Sequence, residues 1–523
     1  MKKRTKRICN FGIVFIMIGI LIFQYNINFN INKEPPSNKW GKGEKIASAK
    51  VTDFPTIQEN NGKYVAALND GGNLKVLEFD KLGNKLKEKT FKTDNEIINH
   101  VGFFNLKDNS YVLDWTVMKV KGNEMNSFKL DKNFNIIEKS KPSIVSELFQ
   151  IGNEIRIKTY EDKIEIFDFT NNNTKTLNIK DASLVNGIKY KDKYIITFMD
   201  DNSKVKYFYY DHKNVTDIKE ACSIATIAGQ SIAKNTFSAD DKYGYFLTEK
   251  SGKGGFQVDI TSFALDGSKN VRTRKLRIDG VHSIKGIIPV NNGKEAKFLA
   301  SGSRSFGLKK IYNDIFQFSI SNNKIKLGEY ISKTKQASML PSIYKDVAIY
   351  CDYEPSIEKH NIFVTSTNEA FKEKNNVMKP VEKKIALTDT MQGFAYSFVY
   401  IFIIGLQWIF FAILLIGAMS FLEYKMKPKN RKILFVIISI IVALIKTKVM
   451  YQVSYKNYYY YLPSVLSSPM VGIIINLVFS FICYGYAYKL YEDDIDAMPI
   501  AKFAPLLLVD SMLTLMVFAP YAL

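Results

Sequence analysis

Five stretches of this 523-residue chain are apolar for long enough to cross a lipid bilayer, one at the N-terminus and four after Gln392. About 20 helical residues at 1.5 Å each cover the roughly 30 Å of hydrocarbon. The expected spans are 8–25, 393–422, 433–453, 465–488 and 500–523. This layout excludes a single soluble globule. The mean hydropathy of -0.09 conceals it, because the apolar ends average out against a polar middle.

The first stretch reads as an uncleaved anchor. It is followed by Gln24-Tyr25-Asn26-Ile27-Asn28-Phe29, not by the small residues that mark a signal cleavage site. Cys9 stands at the start of the apolar run, where a lipidation site after a signal would not be. Lys2, Lys3, Arg4, Lys6 and Arg7 precede this stretch, and the loop 423–432 carries five more basic residues. The bias of Lys and Arg toward the cytoplasmic face puts both segments inside. Residues 26–390 and the C-terminus are then expected outside, at a cell membrane. The tyrosines Tyr458, Tyr459, Tyr460 and Tyr461 fit the outer interface, whereas the acidic loop 489–499 carries little weight in this rule. The expected segments are a basic tail 1–7, an anchor 8–25, an exposed linker 26–44, an exterior domain 45–385, a short linker 386–392 and a four-helix membrane domain 393–523.

The exterior domain is mainly β. Short runs alternate apolar and polar residues, as in 63–68, 75–79 and 193–198, with Asn, Asp and Gly between them. A turn motif recurs through it. Phe79-Asp80-Lys81-Leu82-Gly83-Asn84 and Leu130-Asp131-Lys132-Asn133-Phe134-Asn135 are close copies, with weaker echoes near Phe169, Tyr210, Leu265, Ile320 and Val364. Seven copies at about 48 residues each match the size of a propeller blade. The expected fold is a divergent seven-bladed β-propeller joined to an all-α membrane part, with six or eight blades or a pair of sandwiches as alternatives. A strand from 45–51 is expected to close the ring by completing the last blade near 362–371.

The chemistry-bearing residues form no recognised constellation. His100, His212, His282 and His360 fall in different blades without zinc-ligand spacing, and the pairs Asp200-Asp201 and Asp240-Asp241 read as solvated turns. Gly302-Ser303-Arg304-Ser305-Phe306-Gly307 lacks the G-x-S-x-G pattern of a nucleophile loop, and Cys222 and Cys351 are too far apart in the repeat for an expected disulfide. No metal, cofactor or catalytic residue is assigned. The remaining candidates are ionisable residues inside the apolar spans, Lys446, Lys448 and Asp510. Counting inward from Lys432 and Lys502 places Lys446 about 9 Å deeper than Asp510. Both lysines are near enough to the outer interface to snorkel; an Asp510–Lys446 pair, or a protonatable Asp510 on a transport path, is the alternative.

The net charge is +21, of which +13 (57 basic, 44 acidic) falls on the exterior domain and its flanks. Attraction to an anionic envelope polymer or to membrane lipid is one reading; a lysine bias spread over the whole chain is the other. Nucleic acid is not an expected partner on that side of a membrane. The leading expectation is a multi-pass membrane protein whose propeller binds an envelope protein, glycan or polymer. The rival is a component of a transport or export system that uses the propeller to recruit or gate.

Overall fold

The computed structural model describes residues 3–93, 97–120, 122–224, 226, 228–253, 255–268, 270–290, 295–305, 311–334, 337–457 and 462–522. The tyrosine cluster 458–461 and the end of the 302–307 loop lie outside them. Two units carry separate cores, a β unit within 35–376 and a helical unit of 1–34 with 377–523.

Seven antiparallel sheets make up the β unit: blade 1 (56–92), blade 2 (98–145), blade 3 (147–177), blade 4 (183–223), blade 5 (230–275), blade 6 (282–330) and blade 7 (338–366). The first strand of each blade packs against the first strand of the next, and the series returns from blade 7 to blade 1, so the ring is closed. Blade 7 supplies only three strands of its own. The fourth is Glu44–Ala49, paired antiparallel with Lys359–Ser366 from Glu44 opposite Val364 to Ala49 opposite His360. Blade 2 differs in its outer strand, which is split into Ile136–Lys139 and Ser143–Val145. Pro142 stands in the break, where it has no N–H to give the ladder.

The apolar cores lie between blades. The cluster joining blades 1 and 2 holds Val76, Phe103, Leu113, Trp115 and Phe134. The one joining blades 2 and 3 is small, with Met125, Val145 and Leu148. An ion pair supplements it: Arg156 Nη1 lies 3.0 Å from the buried carboxylate of Asp114, while its guanidinium sits 4.9 Å and 5.3 Å from the rings of Phe167 and Phe169.

The recurring turn joins the third and fourth strands of a blade. Asp80 Oδ1 accepts the backbone N–H groups of Leu82 and Asn84, and Asp131 Oδ1 accepts those of Asn133 and Asn135. The side chain thus replaces ladder partners that the turn residues lack. Gly83 (φ 77°) occupies the left-handed position in the first copy and Phe134 (φ 63°) in the second, where complete burial of the ring holds it. In blade 7 the corresponding segment leads into a helix capped by Asn368, and this is why its fourth strand comes from the start of the domain.

The helical unit comprises α1 (Lys3–Lys33), α3 (Pro380–Tyr400), α4 (Leu406–Leu422), α5 (Pro428–Met450), α6 (Pro469–Asp493) and α7 (Pro499–Ala522), with the short α2 (Glu369–Asn375) belonging to the β unit. A π-helical turn, Ile401–Gly405, joins α3 to α4. Among the described residues, five helical segments are long and apolar enough to cross a membrane.

Three expected boundaries change. The linker 26–44 is half helix, since α1 continues to Lys33, and its end is docked: Trp40 is 2% exposed and Gly41 N–H donates to Ser366 O. Residues 386–392 are no linker but the interior of α3, where Thr390 is buried against Asn28. The last blade ends at Ser366, well before 385.

Candidate functional site

Lys446 and Asp510 meet inside the helical unit, and Lys448 does not join them. The Lys446 Nζ to Asp510 Oδ1 distance is 2.6 Å and both side chains are wholly buried, so snorkelling of Lys446 is replaced by pairing. Lys448 is exposed on the outside of α5.

All three ammonium donors of Lys446 are used, on Asp510 Oδ1, on Asn476 O at 3.1 Å and on Thr514 Oγ1 at 3.2 Å. The other carboxylate oxygen of Asp510 accepts Tyr484 Oη at 2.7 Å and Ser480 Oγ at 3.2 Å. A buried ion pair is held this way only when the remaining hydrogen-bonding positions are filled. On α6 the partners recur every fourth residue, Asn476, Ser480 and Tyr484, in line with the buried Gly472, forming one inward stripe of an otherwise apolar helix. That spacing is visible in the sequence and was the unused signal for the site. Asn476 Oδ1, also buried, has no hydrogen-bond partner among the described residues.

A second polar contact joins α1 to α7. Pro520 has no N–H to offer the carbonyl of Met516, four residues earlier in α7. Gln24 Nε2 instead donates to Met516 O and Val517 O, each at 3.0 Å, and Gln24 Oε1 accepts Tyr521 Oη. Four residues along α1, Asn28 Nδ2 donates to Thr390 Oγ1 at 3.0 Å. The polar residues that argued against signal cleavage are therefore the seam by which α1 joins the helical bundle.

One end of the bundle gathers the charged loops. Lys432 pairs with Glu492 at 2.9 Å, Lys502 with Asp494 at 3.0 Å, and Tyr491 Oη donates to Glu423 Oε2 at 2.8 Å. The acidic loop 489–499 thus faces the basic loop 423–432. Tyr486 Oη bonds to Asn10 Oδ1 at 3.1 Å, which brings the start of α1 to the same end.

In the propeller the segment 51–55 reaches across the ring. Asp53 Oδ2 lies 3.2 Å from His100 Nδ1 in blade 2, and the Phe54 ring centroid lies 3.2 Å from Lys234 Nζ in blade 5. Burial pushes the Lys234 ammonium down to about 8, against the opposing pull of Glu249 and Asp53. The carboxylate of Glu249 accepts the N–H groups of Gly286 and Ile287 in blade 6 at 3.0 Å and 2.8 Å. These groups staple blades together. So does Asp240, read from sequence as a solvated turn: it is 3% exposed and accepts Tyr245 Oη and the N–H of Asn322 in blade 6. Asp200, 8% exposed, accepts the N–H groups of Asn202 and Lys204. His100 and His212 each face an aspartate, Asp53 and Asp168, in separate places, and the four cysteines are free. Among the described residues no group of three or more His, Cys, Asp or Glu side chains is arranged to hold a metal ion.

No protein-family description matches the chain, and no curated protein does. Solved structures similar to it include the WD40 domain of Toxoplasma gondii coronin, at 10% identity and a TM-score of 0.39, covering 66% of this chain and 88% of that one. A protein of unknown function from Dyadobacter fermentans shows 12% identity and a TM-score of 0.37, with 63% of this chain and 100% of the other covered. The polysaccharide lyase Uly1 shows 10% identity and a TM-score of 0.40 over 61% and 91% of the two chains. None of them bears on what this chain binds.

Proposed function

We propose that this chain is a membrane-anchored recognition protein whose propeller binds an envelope component on the extracytoplasmic side of a cell membrane. The observation that carries the reading is the sealed Lys446–Asp510 network, whose two charges are matched and whose ammonium donors are all spent within the bundle. An interior closed in this way serves as a polar lock between α5, α6 and α7. The binding role then falls to the propeller, a closed ring suited to presenting loops from a rigid frame. The orientation rests on the basic residues that precede the first apolar stretch and on the basic loop 423–432, which lies at the same end of the bundle as Asn10.

Cross-linking in intact cells, followed by purification of the full chain in mild detergent, tests the reading. A stoichiometric envelope partner attached to propeller residues is the expected result. Recovery of other membrane transport subunits in its place would support the second reading, a transport or export component. The unpartnered Asn476 Oδ1 beside the ion pair favours that alternative, since an intramembrane carboxylate with an open acceptor next to it is suited to a proton or ion path.

A further inference from the structure

Eight of the 72 cationic residues in this chain are arginine, and three of those eight, Arg272, Arg274 and Arg277, fall within six residues. The β unit holds two others. Arg156 and Arg304 are largely buried and paired with Asp114 and Asp314, so every exposed arginine of the described propeller lies in this one strip. The overall charge looked evenly spread because lysine is everywhere; the arginines are not. Lysine and arginine carry the same charge, but only arginine presents a planar fork of donors that matches a carboxylate or phosphate with two parallel hydrogen bonds.

The strip is the outer strand of blade 5, Val271–Lys275, whose five residues are all exposed, and the connection that follows it into blade 6. That connection is pinned. Leu276, Ile278, Val281 and Ile284 are buried, Leu276 N–H donates to Val258 O at 2.8 Å, and Val281 N–H donates to Ile278 O at 3.1 Å. Arg277 and Asp279 alternate with the buried residues and remain exposed, as does His282. The backbone that carries these polar groups is thereby held in place.

Beside them lies a cleft of about 450 Å³, bordered by Phe256, Lys275, Arg277, Asp279 and His282 over a floor of Val258 and Ile278. Its volume falls within the roughly 300–1,000 Å³ of ligand-binding clefts. Phe256 is 44% exposed at its edge. An exposed aromatic face next to arginine and mixed hydrogen-bonding groups suits a sugar ring carrying an acidic substituent. The ring's apolar face would lie on the phenyl group, the acid would meet the guanidinium, and the hydroxyls would meet Asp279 and Gln257, which also lines the cleft. From Arg272 to Arg277 the strip extends about 16 Å at the rise of a strand, longer than a single sugar needs.

We infer that this cleft and the arginine strip form a binding site for an acidic glycan polymer. The inference rests on the recognition reading above and names the ligand class for it. Binding of polygalacturonate to the full chain in detergent micelles tests it, with neutral dextran and inorganic polyphosphate as comparison polymers. Wild type is expected to bind polygalacturonate at least tenfold more tightly than dextran. Replacing Arg272, Arg274 and Arg277 together by lysine keeps the charge, and is expected to weaken binding about tenfold; Phe256→Ala is expected to do the same. Both variants change exposed side chains, and an unaltered melting curve confirms their fold. Unchanged affinity in both overturns the site. Polyphosphate bound as tightly as polygalacturonate, with no effect of Phe256→Ala, overturns the glycan and leaves a bare charge strip. A captured protein partner with no polygalacturonate binding refutes this inference alone, whereas polygalacturonate binding by a propeller found on the cytoplasmic side refutes the recognition reading alone.

Discussion

Removing one half of the Lys446–Asp510 pair should destabilise the helical unit far more than removing both. Asp510→Asn leaves the ammonium with Asn476 O and Thr514 Oγ1, both neutral acceptors, in a site without solvent. Lys446→Gln leaves the carboxylate facing only the hydroxyl groups of Tyr484 and Ser480. Stranding one buried charge costs about 3–5 kcal/mol, while replacing both charges by a hydrogen-bonded neutral pair is far closer to neutral. The double variant, Lys446→Gln with Asp510→Asn, can form an amide-to-amide hydrogen bond. It is expected to lose about 2 kcal/mol or less, so the coupling between the two positions is at least about 4 kcal/mol. For a unit of this size each kcal/mol shifts the midpoint by about 2–4 °C. The assay is the thermal unfolding midpoint of the full chain in detergent, with the monodisperse fraction on size exclusion as a second readout. Each single variant should melt roughly 6–20 °C below wild type, with the double variant above both. Losses that simply add would show that the two residues do not sense one another, and the argument from the sealed network would fall with them.

Three further outcomes are expected. Deleting the strand 44–49 exposes the edge of Lys359–Ser366 and opens the cluster around Ile46, Val51 and Ile349; the full chain should melt lower and aggregate, and an unchanged melting curve would contradict closure by this strand. Burial raises the Asp352 carboxyl to about 6, so the folded state holds this proton more tightly than the unfolded state does, and the group destabilises the fold above that pH. Asp352→Asn, which can still accept from Ser338 Oγ, should therefore stabilise the propeller by up to about 3 kcal/mol at pH 7.5, with the advantage gone by pH 4; equal effects at both values would exclude the shift. In a cysteine-free background, Lys132→Cys should react with an impermeant thiol reagent on intact cells and Asn430→Cys should not, both positions being exposed; the opposite pattern would reverse the orientation.

What could be read from sequence was local or periodic. The blade turns were legible at Asp80 and Asp131 because an aspartate that bonds to backbone two and four residues ahead leaves a short, repeatable signature. The closing strand was legible because a ring of sheets needs a partner for its last edge. The Lys446–Asp510 contact was harder. Depth counted from each helix's flanking lysine assumes that α5 and α7 begin at one level and run parallel, and the long lysine side chain absorbs the remaining offset. Gln24 and Asn28 spoke only against signal cleavage because their partners, a carbonyl freed by Pro520 and a threonine of α3, are hundreds of residues away. The arginine strip was hidden by counting charge without asking which cation supplied it.

The closure of the ring has a consequence for the order of events during synthesis. Strand Glu44–Ala49 leaves the ribosome some 310 residues before its partner Lys359–Ser366 exists, and Gln24 waits about 490 residues for the carbonyls of Met516 and Val517. At about 5–20 residues per second, the first interval lasts roughly 15–60 seconds. Through that time the earliest parts of the chain are its unpaired ones, and both units finish by taking them back in. A chain cut short before 338 lacks the first strand of blade 7, which returns the ring to blade 1, so its blades cannot close. It leaves an open arc of blades with two free ends, and the strand 44–49 without its partner.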